Sequence, residues 1–210
     1  MMLTYRNGGI FIITIREAQK DDAGQIAPLI NIIFKEMELE ELEDVPDPAV
    51  LKAITAAYQS EAYLSGAATT VVAEANGQVV GVAFGYPDEN EQKVDQVLED
   101  ATSFSDVFAD DPFGSDYEAF KNEWYLDSIV VDPKYQGMGI GGKLLEAIPE
   151  EAVEDDKSVV GLNVDFENPG AKALYDRHGF KTVGIKKIGD HWYFHMQREI
   201  QQQIFSVNRA

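Results

Sequence analysis

The period of apolar and polar positions changes several times along the chain, and each change marks an element. Residues 12–16 (IITIR) alternate loosely and predict a first strand. Asp21 and Asp22 stand where a helix cap would, and Ile26, Leu29, Ile30 and Ile33 follow with helical spacing. Seven acidic side chains in 36–47, then Pro46 and Pro48, predict a loop, and 48–64 reads as a second helix. Two β-rich runs, 69–75 and 79–86, are joined by Asn76-Gly77 and predict a hairpin. Residues 123–131 (EWYLDSIVV) predict a strong strand closed by Asp132-Pro133. A glycine-rich turn and a helix over about 138–153 follow, with Ile140, Leu144 and Ile148 on one face. Residues 159–164 form the next strand. Asn168-Pro169 opens a helix that Gly179 ends, and 180–187 with 192–198 close as an antiparallel pair.

This order describes one mixed α/β domain over 12–198, with 1–11 expected as a poorly ordered leader and 199–210 as a tail. Residues 87–122 stand apart. They carry eleven acidic and two basic side chains with Phe104, Phe108, Phe113, Tyr117 and Phe120 among them. They read as a partly helical insertion over one end of the sheet. The chain's 210 residues suffice for one substantial core.

The absence of cysteine removes disulfides, thiolate nucleophiles and Cys-based metal sites, and agrees with a cytoplasmic protein. Three scattered histidines, His178, His191 and His195, do not suggest a metal centre, so no metal is expected. A formal net charge of −20 repels nucleic acid and anionic membranes and favours cationic partners such as amines or basic peptides. No apolar run is long enough for a membrane span.

The segment Gln136-Gly137-Met138-Gly139-Ile140-Gly141-Gly142-Lys143 lies between a strand and a helix. Such a loop turns backbone N–H groups toward an anion, and the helix dipole adds to their pull. Three cofactor patterns fit it formally. Gly137, Gly139 and Gly142 match the dinucleotide fingerprint, with Asp165 about twenty residues on, but five residues separate the loop from its strand and antiparallel hairpins flank the unit. Gly137, Gly142 and Lys143 match the start of a P-loop, but Leu144 stands where the magnesium-binding hydroxyl belongs. The third pattern is Gln/Arg-x-x-Gly-x-Gly/Ala, met by Gln136, Gly139 and Gly141.

On this third pattern the chain resembles the GNAT N-acetyltransferase superfamily. The likeness runs through YLDSIVVDPKYQGMGIGGKLL (125–145) and returns in NPGAKALYDRHGF (168–180). The resemblance implies a twisted, mostly antiparallel sheet, splayed between its fourth and fifth strands and flanked by helices. It implies acetyl-CoA as co-substrate. The pantetheine would lie in the split against Ile129, Val130 and Val131, and the pyrophosphate on the amides of Gln136, Gly137, Met138, Gly139, Ile140, Gly141 and Gly142. Asn168 would cap its helix and touch the pantetheine. The implied activity is acetyl transfer to a primary amine by direct attack in a ternary complex. The acceptor is a small-molecule amine or a protein or peptide amino group, and a homodimer stays open. A non-catalytic acyl-CoA-binding sensor or interaction module is the alternative.

The chemistry asks for a group that deprotonates the amine, an oxyanion donor and a proton for the departing thiolate. By resemblance, Tyr175 is the general acid and a backbone N–H near Ile129 or Val130 the oxyanion donor. Glu123, Tyr125 and Asp127 alternate onto one face of the fourth strand, which makes Asp127 the first candidate base and Glu123 the second. His191 and His195 are expected in surface or packing roles. The acidic insertion is expected to wall the acceptor side and select a cationic amine.

Overall fold

The computed structural model describes residues 2–6, 9–38, 42–102, 107–108 and 117–200. Eight strands make one sheet: β1 Met2–Arg6, β2 Gly9–Glu17, β3 Thr69–Ala75, β4 Gln78–Pro87, β5 Trp124–Val131, β6 Val159–Asp165, β7 Lys181–Ile188 and β8 His191–Glu199. Their spatial order is β1-β2-β3-β4-β5-β6-β8-β7. All neighbours run antiparallel except β5 and β6, which are parallel. The helices are α1 Ala23–Glu36, α2 Asp47–Tyr58, α3 Glu61–Leu64, α4 Glu91–Thr102, α5 Ile140–Glu154 and α6 Pro169–Arg177. α1 to α4 cover one face of the sheet around Ile26, Ile54, Phe84 and Tyr125. On the other face α5 and α6 pack around Leu144, Ile148, Trp124 and Leu162. Helices on both faces explain why β4, buried from Val79 to Pro87, reads as a nearly unbroken apolar run.

Three expectations are corrected. Residues 2–6 and 9–11, expected in a leader, pair as a hairpin with Arg6 opposite Gly9, which satisfies the outer backbone edge of β2. The helix expected over 48–64 breaks at Ser60, whose Oγ accepts from the Tyr63 N–H (3.3 Å) and starts α3 afresh. Asp22 precedes α1 without capping it through its side chain. Its carboxylate instead accepts from the Gln19 N–H (2.7 Å) and from Arg16 (2.7 and 3.0 Å). Phe104 and Phe113 of the insertion, and 201–210 of the tail, lie outside the described residues.

Two features of β5 shape the site. It meets β6 only at Trp124–Val160 and Tyr125–Gly161, while β6 stays paired with β8 along its whole length and β5 with β4. Each half of the sheet keeps its own partner, so the sheet opens beyond Tyr125. The register between β4 and β5 also steps at Asp127, because Phe84 faces Ser128 and Gly85 faces Leu126. Asp127 is therefore the extra residue of a bulge, a device that re-aims a side chain.

Candidate active site

The glycine loop sits at the start of α5. Gly137 and Gly139 both have φ near +76°, a left-handed conformation that favours glycine, and Gly139 is the residue from which the helix begins. A Cβ built on either would meet nothing within 4 Å, so both face open space. The first N–H groups of α5 lack intrahelical acceptors and point toward that space. Lys143, in the first turn, has a buried Nζ with no hydrogen-bond partner among the described residues. An open cradle of amides beside an unpaired buried ammonium suits a phosphate group. The Gln136 side chain donates to the Val131 carbonyl (3.2 Å), so it ties the loop to the end of β5 and leaves anion binding to the backbone.

α6 comes close to this loop through small residues. A Cβ on Gly141 would stand 3.4 Å from Leu174 and 3.9 Å from Val131, and one on Gly142 would come within 2.9 Å of the His178 ring. Tyr175, on this helix, is 7% exposed and packs edge-on against Phe180 (centroids 5.9 Å apart). Burial pushes its hydroxyl up to about 12, so it keeps its proton at neutral pH. Asn168 caps α6 through its Oδ1, which accepts from the Ala171 N–H (3.0 Å). Ile129, Val130 and Val131 pair with Ala83, Val82 and Gly81 of β4, and their other edge lies along the opening.

Carboxylates gather on the opposite face of β5. Asp127 accepts from Ser128 Oγ (2.7 Å) and Tyr86 Oη (3.3 Å). Asp127 is open to solvent, while Tyr86, Leu126 and Ser128 around it are buried. Burial among these groups raises its carboxyl above the usual range, against those two hydrogen bonds. Glu118, from the insertion, accepts from Tyr125 Oη (2.6 Å). Burial first, and the charge of Asp127 next, push Glu118 up to about 8. Glu91 of α4 is raised by burial, and its carboxylate accepts from the backbone N–H groups of Glu118 and Ala119.

Glu123 occupies a different setting. It is 0% exposed, and its carboxylate accepts from the Phe120 N–H (2.7 Å) and Gln197 Nε2 (2.7 Å) while facing His195 Nε2 (3.1 Å). Gly161 makes room for it, since a Cβ there would fall 2.0 Å from Glu123 Oε2. Enclosed and fully engaged, Glu123 cannot meet an incoming amine, which corrects its expectation as a second base. His195, also 0% exposed, stacks on Phe120 (3.6 Å) and turns its Nδ1 to Asn163 Oδ1 (2.7 Å). His191 pairs with Asp165 (3.0 Å).

The sequence reading named Asp127 and Tyr125 on this strand; the structure brings Glu118, Glu91, Tyr86 and Asn163 beside them, and these carry no spacing signal in the sequence. A cavity of about 500 Å³ between α1 and α2, lined by Asn31, Phe34, Lys35, Leu42, Val45 and Val50 among others, shares no residue with this site. No helix among the described residues is long and apolar enough to cross a membrane.

Comparison with known proteins agrees with this fold. The sequence pattern of the acetyltransferase (GNAT) family matches residues 33–180. YhfO, an uncharacterized N-acetyltransferase of Bacillus subtilis (strain 168), is 25% identical over 169 residues, which span 80% of this chain and 90% of YhfO. A solved acetyltransferase crystal structure is 42% identical with a TM-score of 0.77, covering 90% of this chain and all of the other. The fold also matches yncA of Salmonella typhimurium, solved with its cofactor acetyl-CoA, at 22% identity and a TM-score of 0.58 over 91% of this chain and 96% of that one.

Proposed function

The chain belongs to the acetyltransferase (GNAT) family, and from that premise we propose that this N-acetyltransferase moves acetyl directly from acetyl-CoA onto a cationic primary amine in a ternary complex. The observation that carries the reading is the opening of the sheet beyond Tyr125, with the glycine loop and Tyr175 on one side and Asp127 and Glu118 on the other. Bound acetyl-CoA supplies an activated thioester. The amides of Gln136 to Gly142 and the Lys143 ammonium hold its phosphates, and Ile129 to Val131 present backbone groups along the opening. Asn168 fixes the start of α6 and so the position of Tyr175. Tyr175 keeps a proton for the departing sulfur, and Asp127 receives the cationic amine.

The site must bind an anion despite a net charge of −20. Charge-assisted hydrogen bonds contribute about 1.5–3 kcal/mol each, and the helix terminus about 0.3–1 kcal/mol more. Distant carboxylates are screened beyond about 8 Å at physiological salt, so the local donors prevail. The acceptor side has the opposite character: Glu91, Glu118 and Asp127 favour a cation. A small amine or a protein or peptide amino group satisfies this chemistry.

The test is a thermal-shift panel with acetyl-CoA, free CoA, NAD and Mg-ATP, followed by thiol release with spermidine, lysine amide and an alanyl peptide. A ligand at about a hundredfold excess over Kd stabilises the native state by about 2.7 kcal/mol. Stabilisation by the CoA compounds alone, with amine-dependent thiol release, is expected. Stabilisation by NAD or ATP alone would overturn the reading.

A further inference from the structure

Resting on that acetyltransferase reading, we propose that Glu118, supplied by the acidic insertion, is the catalytic base that takes the proton of the acceptor ammonium, and that Asp127 holds the ammonium beside it. The geometry that points to Glu118 is the way it is held. Its Oε2 accepts from Tyr125 Oη (2.6 Å), its backbone carbonyl accepts from Asn163 Nδ2 (3.2 Å), and its backbone N–H donates to Glu91 Oε1. Asn163 also donates to Tyr125 Oη (2.9 Å), so one amide positions both the base and its hydrogen-bond donor. Asn163 is held in turn by His195, and His195 by the buried Glu123. A relay of hydrogen bonds thus runs from the closed end of the β5–β6 split to Glu118, and Asn163, His195 and Glu123 are its positioning residues.

Seven strands and helices present charged or titratable groups here. They are Tyr58 from α2, Tyr63 from α3, Glu91 and Asp95 from α4, Tyr86 from β4, Tyr125 and Asp127 from β5, Lys186 from β7, and Tyr193 and His195 from β8. Burial first, and the charge of Asp127 next, hold the Glu118 carboxyl up, and the nearby carboxylates prevail over Lys186, so Glu118 accepts a proton near neutrality. Asp127 has both oxygens engaged by hydroxyl donors, whereas one oxygen of Glu118 has none among the hydrogen bonds described above.

In the balanced step, R–NH3⁺ gives one proton to the Glu118 carboxylate, and the neutral nitrogen then bonds to the acyl carbon as the carbon–sulfur bond breaks. Sulfur takes a proton from Tyr175, the second nitrogen proton returns to Tyr175 through solvent, and Glu118 releases its proton to solvent. One proton is freed per turnover.

The experiment measures kcat/KM against pH by thiol release for the wild type, Glu118→Gln, Asp127→Asn and Tyr125→Phe, using whichever of spermidine, lysine amide or the alanyl peptide is turned over. It adds a carboxyl ¹³C NMR titration without acceptor. The wild type should show an ascending limb near pH 8 and a resonance, absent in Glu118→Gln, titrating in step with it. Glu118→Gln should lower kcat by about 10²–10⁴-fold and lose the limb, with the acetyl-CoA thermal shift kept. Asp127→Asn removes a neighbouring charge and should move the limb to lower pH; Tyr125→Phe removes a donor to the anion and should move it to higher pH. An unchanged limb in Glu118→Gln, or its loss in Asp127→Asn alone, would overturn the assignment to Glu118. Failure of the wild type to turn over any of these amines would overturn the acetyl-transfer reading itself and the base with it.

Discussion

Tyr175 combines burial with a place on the helix nearest the glycine loop, and its hydroxyl is held above its ordinary range by loss of solvent alone. A group protonated throughout the physiological range can give a proton to a thiolate but cannot serve as a base there. Tyr175→Phe is therefore expected to lower kcat about 10²-fold or more, with the acetyl-CoA Kd unchanged. Steady-state kinetics beside calorimetric titration would show it, and an unchanged kcat would return Tyr175 to a packing role. Position 161 shows the same dependence on single atoms. Only the absence of a Cβ at Gly161 lets Glu123 lie beneath β6 and engage His195.

Several elements in this fold begin and end where side-chain chemistry says they should. Asn168 caps α6 as its sequence position predicts, and Asn76-Gly77 turns β3 into β4 with both residues at positive φ. Gly139 has the heaviest demand: it must hold φ near +76° at the start of α5 and leave its amide side open. Gly139→Glu places a side chain in a left-handed conformation, at a cost of about 1–2 kcal/mol, and sets a carboxylate where an anion should bind. The expected outcome is a folded protein with a slightly lower Tm that acetyl-CoA no longer stabilises. Thermal melts with and without ligand decide it, and retained stabilisation would mean that the loop is a turn and nothing more.

On the scale of the whole molecule, acidic charge is distributed so that folding itself raises several carboxyl groups. Glu118 reaches about 8 and Glu151 about 7, and Asp127, Glu91 and Asp155 are raised too, burial being the first cause in each. A carboxyl raised on folding binds its proton more tightly in the native state. Its contribution is present below the unfolded value and is lost as pH rises through the folded one. Asp22 and Asp88 are lowered and act in the opposite sense, in the acid range below their ordinary values. Tm should therefore be a few degrees higher near about pH 5.5 than near about pH 8.5, a window set by the raised groups. Melts across that range would check it, and a Tm rising toward alkaline pH would contradict the raised carboxyls.

Much of this architecture is legible in the sequence because it is encoded locally. Hydrophobic period, turn chemistry and caps act over a few residues, so β3 to β8, α1, α5 and α6 appear close to their observed bounds, and the glycine loop announces its own backbone. Asp127 and Tyr125 are visible for the same reason, being neighbours on one strand. What the sequence could not determine is the carboxylate cluster beside β5. Glu118 meets Asn163 across 45 residues and Glu123 meets His195 across 72. The bulge that aims Asp127 arises from pairing with β4, not from any residue type. Those contacts exist only once α1 to α4 close over one face of the sheet and β8 joins β6, because burial and mutual repulsion, which set the carboxylates' protonation, are properties of packed neighbours. The elements and the glycine loop belong to the sequence; the proposed base, its partner and its charge state belong to the tertiary structure.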